Sequence, residues 1–180
     1  MIHVPSPRVQ RGVSMIEVLV AVLIFTVGLI GLGGLLITAT KSNASAYVRT
    51  QVTFLANNMA DRMRANSVGL WNADYDSAAY PISDDMPVCD STAGCTPAQV
   101  ALRDQVAWSQ QLKDSLPAVG KTTIKCVQAG NPPPTSMYEK RPPYSGSCTM
   151  TITWAERGLT GGDDKVAAGN LQSFTWVFQP

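Results

Sequence analysis

Residues 18–40 read VLVAVLIFTVGLIGLGGLLITAT, a run of 23 residues without a charged side chain. As an α-helix this run would extend about 35 Å, which is enough to cross a hydrocarbon layer of about 30 Å. Arg8 and Arg11 precede the run, and no acidic residue stands before Glu17. The positive-inside rule therefore predicts one membrane-spanning helix, with a cytoplasmic N-terminus and an exported C-terminal part.

The composition of the chain limits what the exported part can be. With 180 residues, 45% of them hydrophobic and 15% charged, the chain has enough apolar side chains for one folded domain. A formal net charge of +1 and the lack of a basic patch argue against binding to nucleic acid. His3 is the only histidine. If a leader containing it is removed, histidine-dependent nucleophilic catalysis and histidine-ligated metal sites are excluded, and we predict no cofactor and no metal.

A conventional secretory signal is one alternative interpretation of the N-terminus. Ala44, Ser45 and Ala46 resemble a signal peptidase site, and cleavage there would leave a mature N-terminus near Tyr47. However, the apolar run is longer than the usual signal core of about 7–15 residues, and Lys41 interrupts the approach to the cleavage site. The length of the run therefore favours a retained helix.

Glu17 stands at the edge of the apolar run. An ionisable side chain in this position is costly in a bilayer and calls for a partner, so it is a candidate functional residue. Alternatively, it is a carboxylate at the membrane surface, stabilised by the N-terminus of its own helix. The spacing alone leaves both interpretations open.

Residues 11–21, RGVSMIEVLVA, resemble the class III signal of type IV pilins and pseudopilins. The resemblance implies that prepilin peptidase removes a leader, residues 1–12, by cutting between Gly12 and Val13. It also implies that the new N-terminal Val13 is methylated, although the family usually has phenylalanine there. Glu17 then occupies the fifth mature position, where a glutamate is the hallmark of the family.

Cleavage at this position would create an α-amino group close to Glu17. In a filament packed from such helices, both charges would enter a core of low dielectric constant. An unpaired charge there costs several kcal/mol, whereas a pair between neighbouring subunits offsets much of this cost. We therefore expect residues 13–40 to act as a transmembrane and assembly helix, with Glu17 fixing the register between subunits.

Residues 41–66 keep a helical periodicity after the apolar run ends. One apolar stripe steps by four, three, four and four residues, as an amphipathic helix requires. Its members are Val48, Val52, Leu55, Met59 and Met63. We predict that this segment is the amphipathic half of the same helix; an independent second helix is the alternative.

Residues 67–180 are predicted to form an exported α+β domain. A long loop with room for a short strand covers residues 66–96, and its aspartates fit a solvated acidic loop better than a calcium site. Thr96, Pro97 and Gln99 form a capping box that opens a helix over residues 97–116. Its predicted apolar face contains Leu102, Val106, Leu112 and Leu116, with Trp108 in the core near that face.

Three strands are predicted in the last third of the chain, because alternating, β-branched or aromatic residues cover 122–128, 148–154 and 171–178. A loop at 129–147 joins the first two, and a turn at 158–164 precedes the third. The predicted fold is thus a long N-terminal helix packed on a small antiparallel sheet, as in type IV pilins, with an extra helix near 97–116.

All four cysteines follow the apolar run, and an exported compartment permits disulfides. No Cys-x-x-Cys pair occurs, which argues against zinc-ribbon and thioredoxin-like sites. Of the three connectivities, we favour Cys89 with Cys95, which closes a tight loop, and Cys126 with Cys148, which ties two neighbouring strands.

Residues 57–66, 97–116 and 149–154 resemble PilV-type minor pilins. This resemblance implies a non-enzymatic role in type IV pilus assembly, in a minor-pilin priming or tip complex that supports adhesion and twitching motility. The implied partners are prepilin peptidase, other minor pilins and the major pilin through the N-terminal helices, and an adhesin at the tip. The implied location is the inner membrane, with a periplasmic domain, and later the pilus.

Two other functions share part of this sequence pattern. A minor pseudopilin of a type II secretion system would carry the same N-terminal motif. A membrane-anchored or secreted periplasmic enzyme would need a catalytic constellation, and the sequence shows no paired motif for carboxylate, lysine, serine or cysteine chemistry.

Overall fold

The computed structural model describes residues 12–90, 92–155 and 171–180. It divides into two units, Met1–Ala44 and Ser45–Pro180. We call the described part of the first unit, residues 12–44, the stalk, and the second unit the head. The predicted leader before Gly12 and the predicted turn at 158–164 lie outside the described residues.

Helix α1 spans Met15–Ala65 without interruption. The prediction that the apolar and amphipathic segments form one helix is therefore confirmed, and the alternative of an independent second helix is wrong. All stalk residues are exposed. α1 is long and apolar enough to cross a membrane, and the qualifying stretch is not buried within the chain.

The head buries one face of α1. The buried residues of this face repeat at helical spacing because they pack against the sheet and the second long helix of the head. They are Val52, Leu55, Ala56, Met59, Ala60 and Met63. Val48 packs partly buried against the same core, so the predicted stripe is confirmed.

A four-stranded antiparallel sheet forms the other side of the head, in the order β1-β2-β3-β4. The strands are β1 Ser77–Tyr80, β2 Thr122–Gln128, β3 Gly146–Ala155 and β4 Leu171–Phe178. A 3-10 helix, Thr135–Lys140, interrupts the loop between β2 and β3. The three predicted strands are confirmed, and β1 occupies part of the predicted loop.

A short helix, α2 Ser67–Trp71, follows α1 directly, where a loop was predicted. The side chain of Asn66 accepts a hydrogen bond from the N–H of Gly69 at 3.2 Å, which caps α2. Five residues are too few for a visible apolar periodicity. The packing of Val68, Leu70 and Trp71 into the head stabilises α2 instead.

Helix α3 spans Pro97–Ser115, and its predicted capping box is present. The N–H of Gln99 donates to Thr96 Oγ1 at 3.3 Å, and the N–H of Thr96 donates to Gln99 Oε1 at 2.9 Å. These reciprocal bonds satisfy two backbone donors that the first turn of a helix leaves without a partner.

The buried face of α3 differs from the predicted one. The prediction is right for Leu112 and Leu116 but wrong for Leu102 and Val106, which are only half-buried. The helix instead buries Ala101, Gln105, Trp108, Ser109 and Leu112. Burial of the Gln105 side chain is tolerated because its Nε2 atom donates a hydrogen bond to the carbonyl of Asp74 at 2.6 Å. Hydropathy alone cannot indicate such a partner.

Trp108 lies in the core, as predicted, and is fully buried. Its indole N–H donates to the carbonyl oxygen of Leu55 at 2.9 Å. Its ring meets Tyr80 edge-on, with 5.2 Å between ring centroids. Trp108 thus connects α3 to both α1 and β1.

Candidate assembly site

The residues of the predicted cleavage site lie just before α1. Gly12 and Val13 are exposed and outside regular secondary structure, so the peptide bond between them belongs to an accessible segment. A Cβ atom built on Gly12 would meet no atom within 4 Å. The fold therefore does not require glycine at this position.

Glu17 lies in the first turn of α1. Its backbone N–H donates to the carbonyl of Ser14 at 3.1 Å. This hydrogen bond closes the first turn of α1, just before the apolar run that begins at residue 18. The partial positive charge at the N-terminus of a helix favours a carboxylate there. Glu17 is also the only acidic residue in 12–44.

The stalk exposes seventeen large apolar side chains, from Val13 to Ile37, with exposed fractions between 50% and 89%. At about 1.5 kcal/mol for each such side chain, covering them would gain about 25 kcal/mol. A surface of this size is not stable in water. The stalk must therefore be covered by lipid or by other helices.

The three threonine hydroxyl groups of the stalk are compatible with such a cover. Thr26 and Thr40 donate to the carbonyls three residues earlier at 2.9 Å, and Thr38 donates to Gly34 at 3.1 Å. Each hydroxyl is satisfied by its own helix, which removes most of the cost of placing it in an apolar medium.

Two disulfides join cysteines of the head. The structure links Cys89 to Cys95 and Cys126 to Cys148. Cys126 and Cys148 are direct partners in the register of β2 and β3, with 4.0 Å between their Cα atoms. The second bond therefore ties together the ends of the long loop at 129–145.

Asp76 supports the same region from the side of β1. Its carboxylate accepts hydrogen bonds from the N–H of Cys126 at 2.9 Å and from Lys125 Nζ at 2.7 Å. The side chain is only 15% exposed. The predicted solvated acidic loop is thus right for Asp84 and Asp85, which are exposed, but wrong for Asp76 and for Asp74, whose Oδ2 atom is buried.

We expect loss of the Cys126–Cys148 bond to destabilise the head by about 3 kcal/mol, because it closes the longer loop, against about 2 kcal/mol for Cys89–Cys95. Urea unfolding of the full chain in detergent measures the free energy of unfolding of two double variants. In one, Cys126→Ser/Cys148→Ser, the second disulfide is absent; in the other, Cys89→Ser/Cys95→Ser, the first is absent. Non-reducing peptide mapping of the parent chain checks the pairing. Recovery of a Cys95–Cys126 peptide would contradict it.

A polar cluster fixes α1 against α3. Asp104 accepts hydrogen bonds from the Arg62 guanidinium at 3.1 Å and from the Tyr75 hydroxyl at 2.8 Å. Asn66 Nδ2 donates to the same Tyr75 hydroxyl at 3.1 Å and to the carbonyl of Pro97 at 2.8 Å. Burial raises the pKa of Tyr75 well above its usual range, so the hydroxyl stays protonated and remains a donor.

Sequence reasoning did not find this cluster. Asp104 lies 42 residues from Arg62 and 29 residues from Tyr75 along the chain, and each member is an ordinary polar residue in its own segment. Only Asn66 offered a local signal, because asparagine is a preferred residue for capping a helix that follows. Among the described residues, no group of three or more His, Cys, Asp or Glu side chains is placed to hold a metal ion.

Comparison with known proteins identifies the N-terminus. The model of the prokaryotic N-terminal methylation motif matches residues 7–33, a segment that contains Gly12, Val13, Glu17 and the first part of the apolar run. No curated protein and no solved structure matched the chain. The N-terminus of the chain is thus type IV pilin-like, and it precedes an α+β head whose elements are consistent with the type IV pilin fold.

Proposed function

We propose that this chain is a minor pilin, which takes part in type IV pilus assembly as a member of a priming or tip complex. The observation that carries the proposal is the stalk: an exposed, apolar helix with one acidic residue, Glu17, in its first turn. A folded head follows on the same helix. Such a chain is suited to be a subunit of a larger assembly and not a catalyst.

In this proposal the chain begins as an inner-membrane precursor. Prepilin peptidase removes residues 1–12, and Val13 becomes the methylated N-terminus. Residues 13–40 remain in the bilayer, residues 41–66 continue the helix into the head, and residues 67–180 complete the periplasmic domain.

Transfer of the stalk from lipid to a helical fibre then requires little net hydrophobic energy, since lipid chains and leucine side chains are similarly apolar. The choice of register must come from more specific interactions. Pairing of Glu17 with the α-amino group of a neighbouring subunit supplies one, because a register that separates the two charges leaves them unpaired in an apolar core.

The resemblance of residues 57–66, 97–116 and 149–154 to PilV-type minor pilins supports the choice of a minor pilin. The partners would be other minor pilins and the major pilin, in contact through the N-terminal helices, and an adhesin at the tip. After assembly, the head would be displayed on the pilus, outside the cell.

Deletion of the gene is expected to reduce the number of surface pili and to abolish twitching, while secretion of exported enzymes stays at the parental level. Pili are counted by electron microscopy, and exported enzymes are measured in the culture medium. A plasmid copy of the parent chain should restore pili. Normal pili with enzymes retained in the periplasm would instead identify a secretion pseudopilin, and no change in either would contradict a role in assembly.

A further inference from the structure

The two edge strands of the sheet differ in length and regularity. β1 has only four residues, Ser77–Tyr80, and pairs with β2 in an irregular register. Pro81 follows it directly. A short strand, an irregular register and a nearby proline are features by which proteins keep an edge from pairing with another chain. The edge formed by β1 is therefore protected.

β4 has none of these protective features. Its eight residues, Leu171–Phe178, pair with β3 in an unbroken register. The strand contains no proline and no charged residue, and its threonine, valine and aromatic residues favour an extended backbone. Among the described residues, β3 is the only strand that pairs with β4. The other side of β4 is thus a long and regular edge without a partner strand in this part of the chain.

The hydrogen bonds of β3 show which backbone groups of β4 reach this edge. The carbonyl of Thr153 accepts from the N–H of Gly120 at 2.8 Å, and the N–H of Ala155 donates to the carbonyl of Ala118 at 2.9 Å. Ala118 and Gly120 precede β2, so the odd-numbered residues of β3 direct their backbone groups towards β2. Because these groups alternate in direction along a strand, the even-numbered residues of β3 bond to β4.

The register then divides β4 into two sets of residues. The partners of the even-numbered β3 residues use their N–H and carbonyl groups within the sheet; they are Gln172, Phe174, Trp176 and Phe178. The other four residues direct their backbone groups to the free edge; they are Leu171, Ser173, Thr175 and Val177. The side chains of this second set are exposed. Such an alternating row of donors and acceptors is matched by the backbone of another extended strand.

The two faces of β4 define the side chains that such a strand would carry. On the inner face, Phe174 and Trp176 are only partly buried against the core, and the rings of Trp176 and Phe178 stack with 4.6 Å between their centroids. On the outer face, Ser173 and Thr175 expose their hydroxyl groups. Residues directly opposite each other share a face of the sheet. The added strand would therefore alternate apolar side chains, which cover the aromatic rings, with small polar ones.

The surroundings of this edge are uncharged. Neither β3 nor β4 contains a charged residue. Lys125 lies on the outer face but two strands away, and it pairs with Asp76 at 2.7 Å. The Arg64 guanidinium donates to the carbonyl of Gln179, which lies beyond the end of β4. We therefore expect the added strand to be uncharged and its binding to be nearly insensitive to salt.

A second copy of this chain does not fit the edge. Antiparallel pairing of two β4 strands needs a two-fold axis perpendicular to the sheet, and this axis reverses the direction of α1 in the second head. Symmetric parallel pairing needs an axis along the strands, which places the aromatic face of one sheet beside the hydroxyl face of the other. In the proposed function all subunits enter one membrane through α1, so antiparallel pairing is excluded as well.

We propose that the free edge of β4 accepts an extended segment of a different protein, which adds as a fifth strand to the sheet of the head. The segment is uncharged, presents apolar side chains to Phe174 and Trp176, and bonds through its backbone to Ser173, Thr175 and Val177. The inference rests on the proposed function in one step, the exclusion of antiparallel pairing with a second copy. The binding surface belongs to the head and not to the stalk.

The test uses the full chain in the cells that produce it, with a photo-reactive benzophenone side chain at position 177, where the valine is 61% exposed. We expect a cross-linked product with one other protein. Thr175→Pro should reduce its yield by about tenfold or more, because proline removes an outward N–H and its ring obstructs the added strand.

Thr175→Val is the matched control. Both variants lose the hydrogen bond between the hydroxyl groups of Thr175 and Thr151, 3.2 Å apart, but only valine keeps the backbone N–H. The yield with valine should therefore equal that of the chain with threonine at position 175. The urea midpoint of the proline variant should stay at the parental value, because the N–H of Thr175 is not used in the bonds to β3 and an edge strand tolerates proline at such a position.

Hydrogen–deuterium exchange tests the same edge without any substitution. The N–H groups of Thr175 and Val177 should exchange rapidly in the detergent-purified chain and slowly in the chain that is co-purified with its partner. Those of Phe174 and Trp176 should be slow in both samples. Recovery of the partner should be equal in about 0.1 M and about 1 M sodium chloride.

Each of four results would overturn the inference: no product, a product with a second copy of this chain, equal yields with proline and valine at position 175, or exchange that does not change with the partner. The proposed function is judged separately, from the effect of gene deletion on pilus number. If deletion abolishes pili but the yield is insensitive to Thr175→Pro, the proposed function stands and strand addition fails. If proline abolishes the product but deletion leaves pili unchanged, strand addition stands and the proposed function fails.

Discussion

Glu17→Gln is expected to abolish incorporation of the chain into an assembly while leaving the head folded. Glutamine keeps the size and most of the hydrogen bonding of glutamate, so the change removes only the charge. The α-amino group of the neighbouring subunit would then enter an apolar core without a partner. A broken buried ion pair costs about 3–5 kcal/mol, so we expect recovery of partner subunits to fall by about a hundredfold or more.

The measurement is co-purification of the parent and Glu17→Gln chains with the other pilin-like subunits of the same cells. Lys41→Gln is the matched control, because it also removes one charge from the stalk, but at the opposite end of the apolar run. The intact mass of each membrane-extracted chain should correspond to cleavage after Gly12, since neither Gly12 nor the basic residues of the leader change.

Equal recovery of partners with the parent and Glu17→Gln chains, together with normal pilus number, would mean that Glu17 is only a carboxylate at the membrane surface. A mature N-terminus near Tyr47 would have a wider consequence. It would identify a conventional secretory signal and remove the stalk from the mature protein.

Trp108→Ala is expected to destabilise the head by about 3–5 kcal/mol, the usual range for truncation of a large buried side chain. The change removes the hydrogen bond to the Leu55 carbonyl, the contact with the Tyr80 ring and the largest of the fully buried side chains among the described residues. The head would then be close to its limit of stability at 37 °C, because domains of this size are marginally stable.

Chemical unfolding of the full chain in detergent, followed by tryptophan fluorescence or circular dichroism, measures this loss. Phe54→Ala is the matched control, since Phe54 is also aromatic and lies on a helix of the head but is 63% exposed. Its loss should cost less than about 0.5 kcal/mol. Similar costs for the two variants would show that Trp108 does not anchor the core.

The elements with strong local signals could be predicted from the sequence. The uninterrupted apolar run and the stripe from Val48 to Met63 predicted α1, because a helix repeats its face every 3.6 residues. Thr96, Pro97 and Gln99 predicted the start of α3 through the geometry of a capping box. Alternation in β3 predicted a strand with one buried and one exposed face.

The remaining features depend on contacts between distant segments. Gln105 could not be predicted as buried, because its partner is a backbone carbonyl more than thirty residues away. Asp76 looked like a solvated aspartate, yet it binds the backbone of Cys126. In both cases a polar side chain becomes favourable inside the head only when the tertiary fold supplies its partner. The local sequence around Gln105 or Asp76 does not indicate these partners.

The continuity of α1 has a mechanical consequence. Within the head, a pull transmitted by α1 acts along the axis of the helix that carries Val52, Leu55, Met59 and Met63 into the core. Such a load acts parallel to the buried contacts and strains them together, in shear, so that they cannot be peeled apart one by one. The Arg62–Asp104 ion pair and the Trp108 hydrogen bond share that load with α3, which makes the helix pair the tension-bearing part of the head.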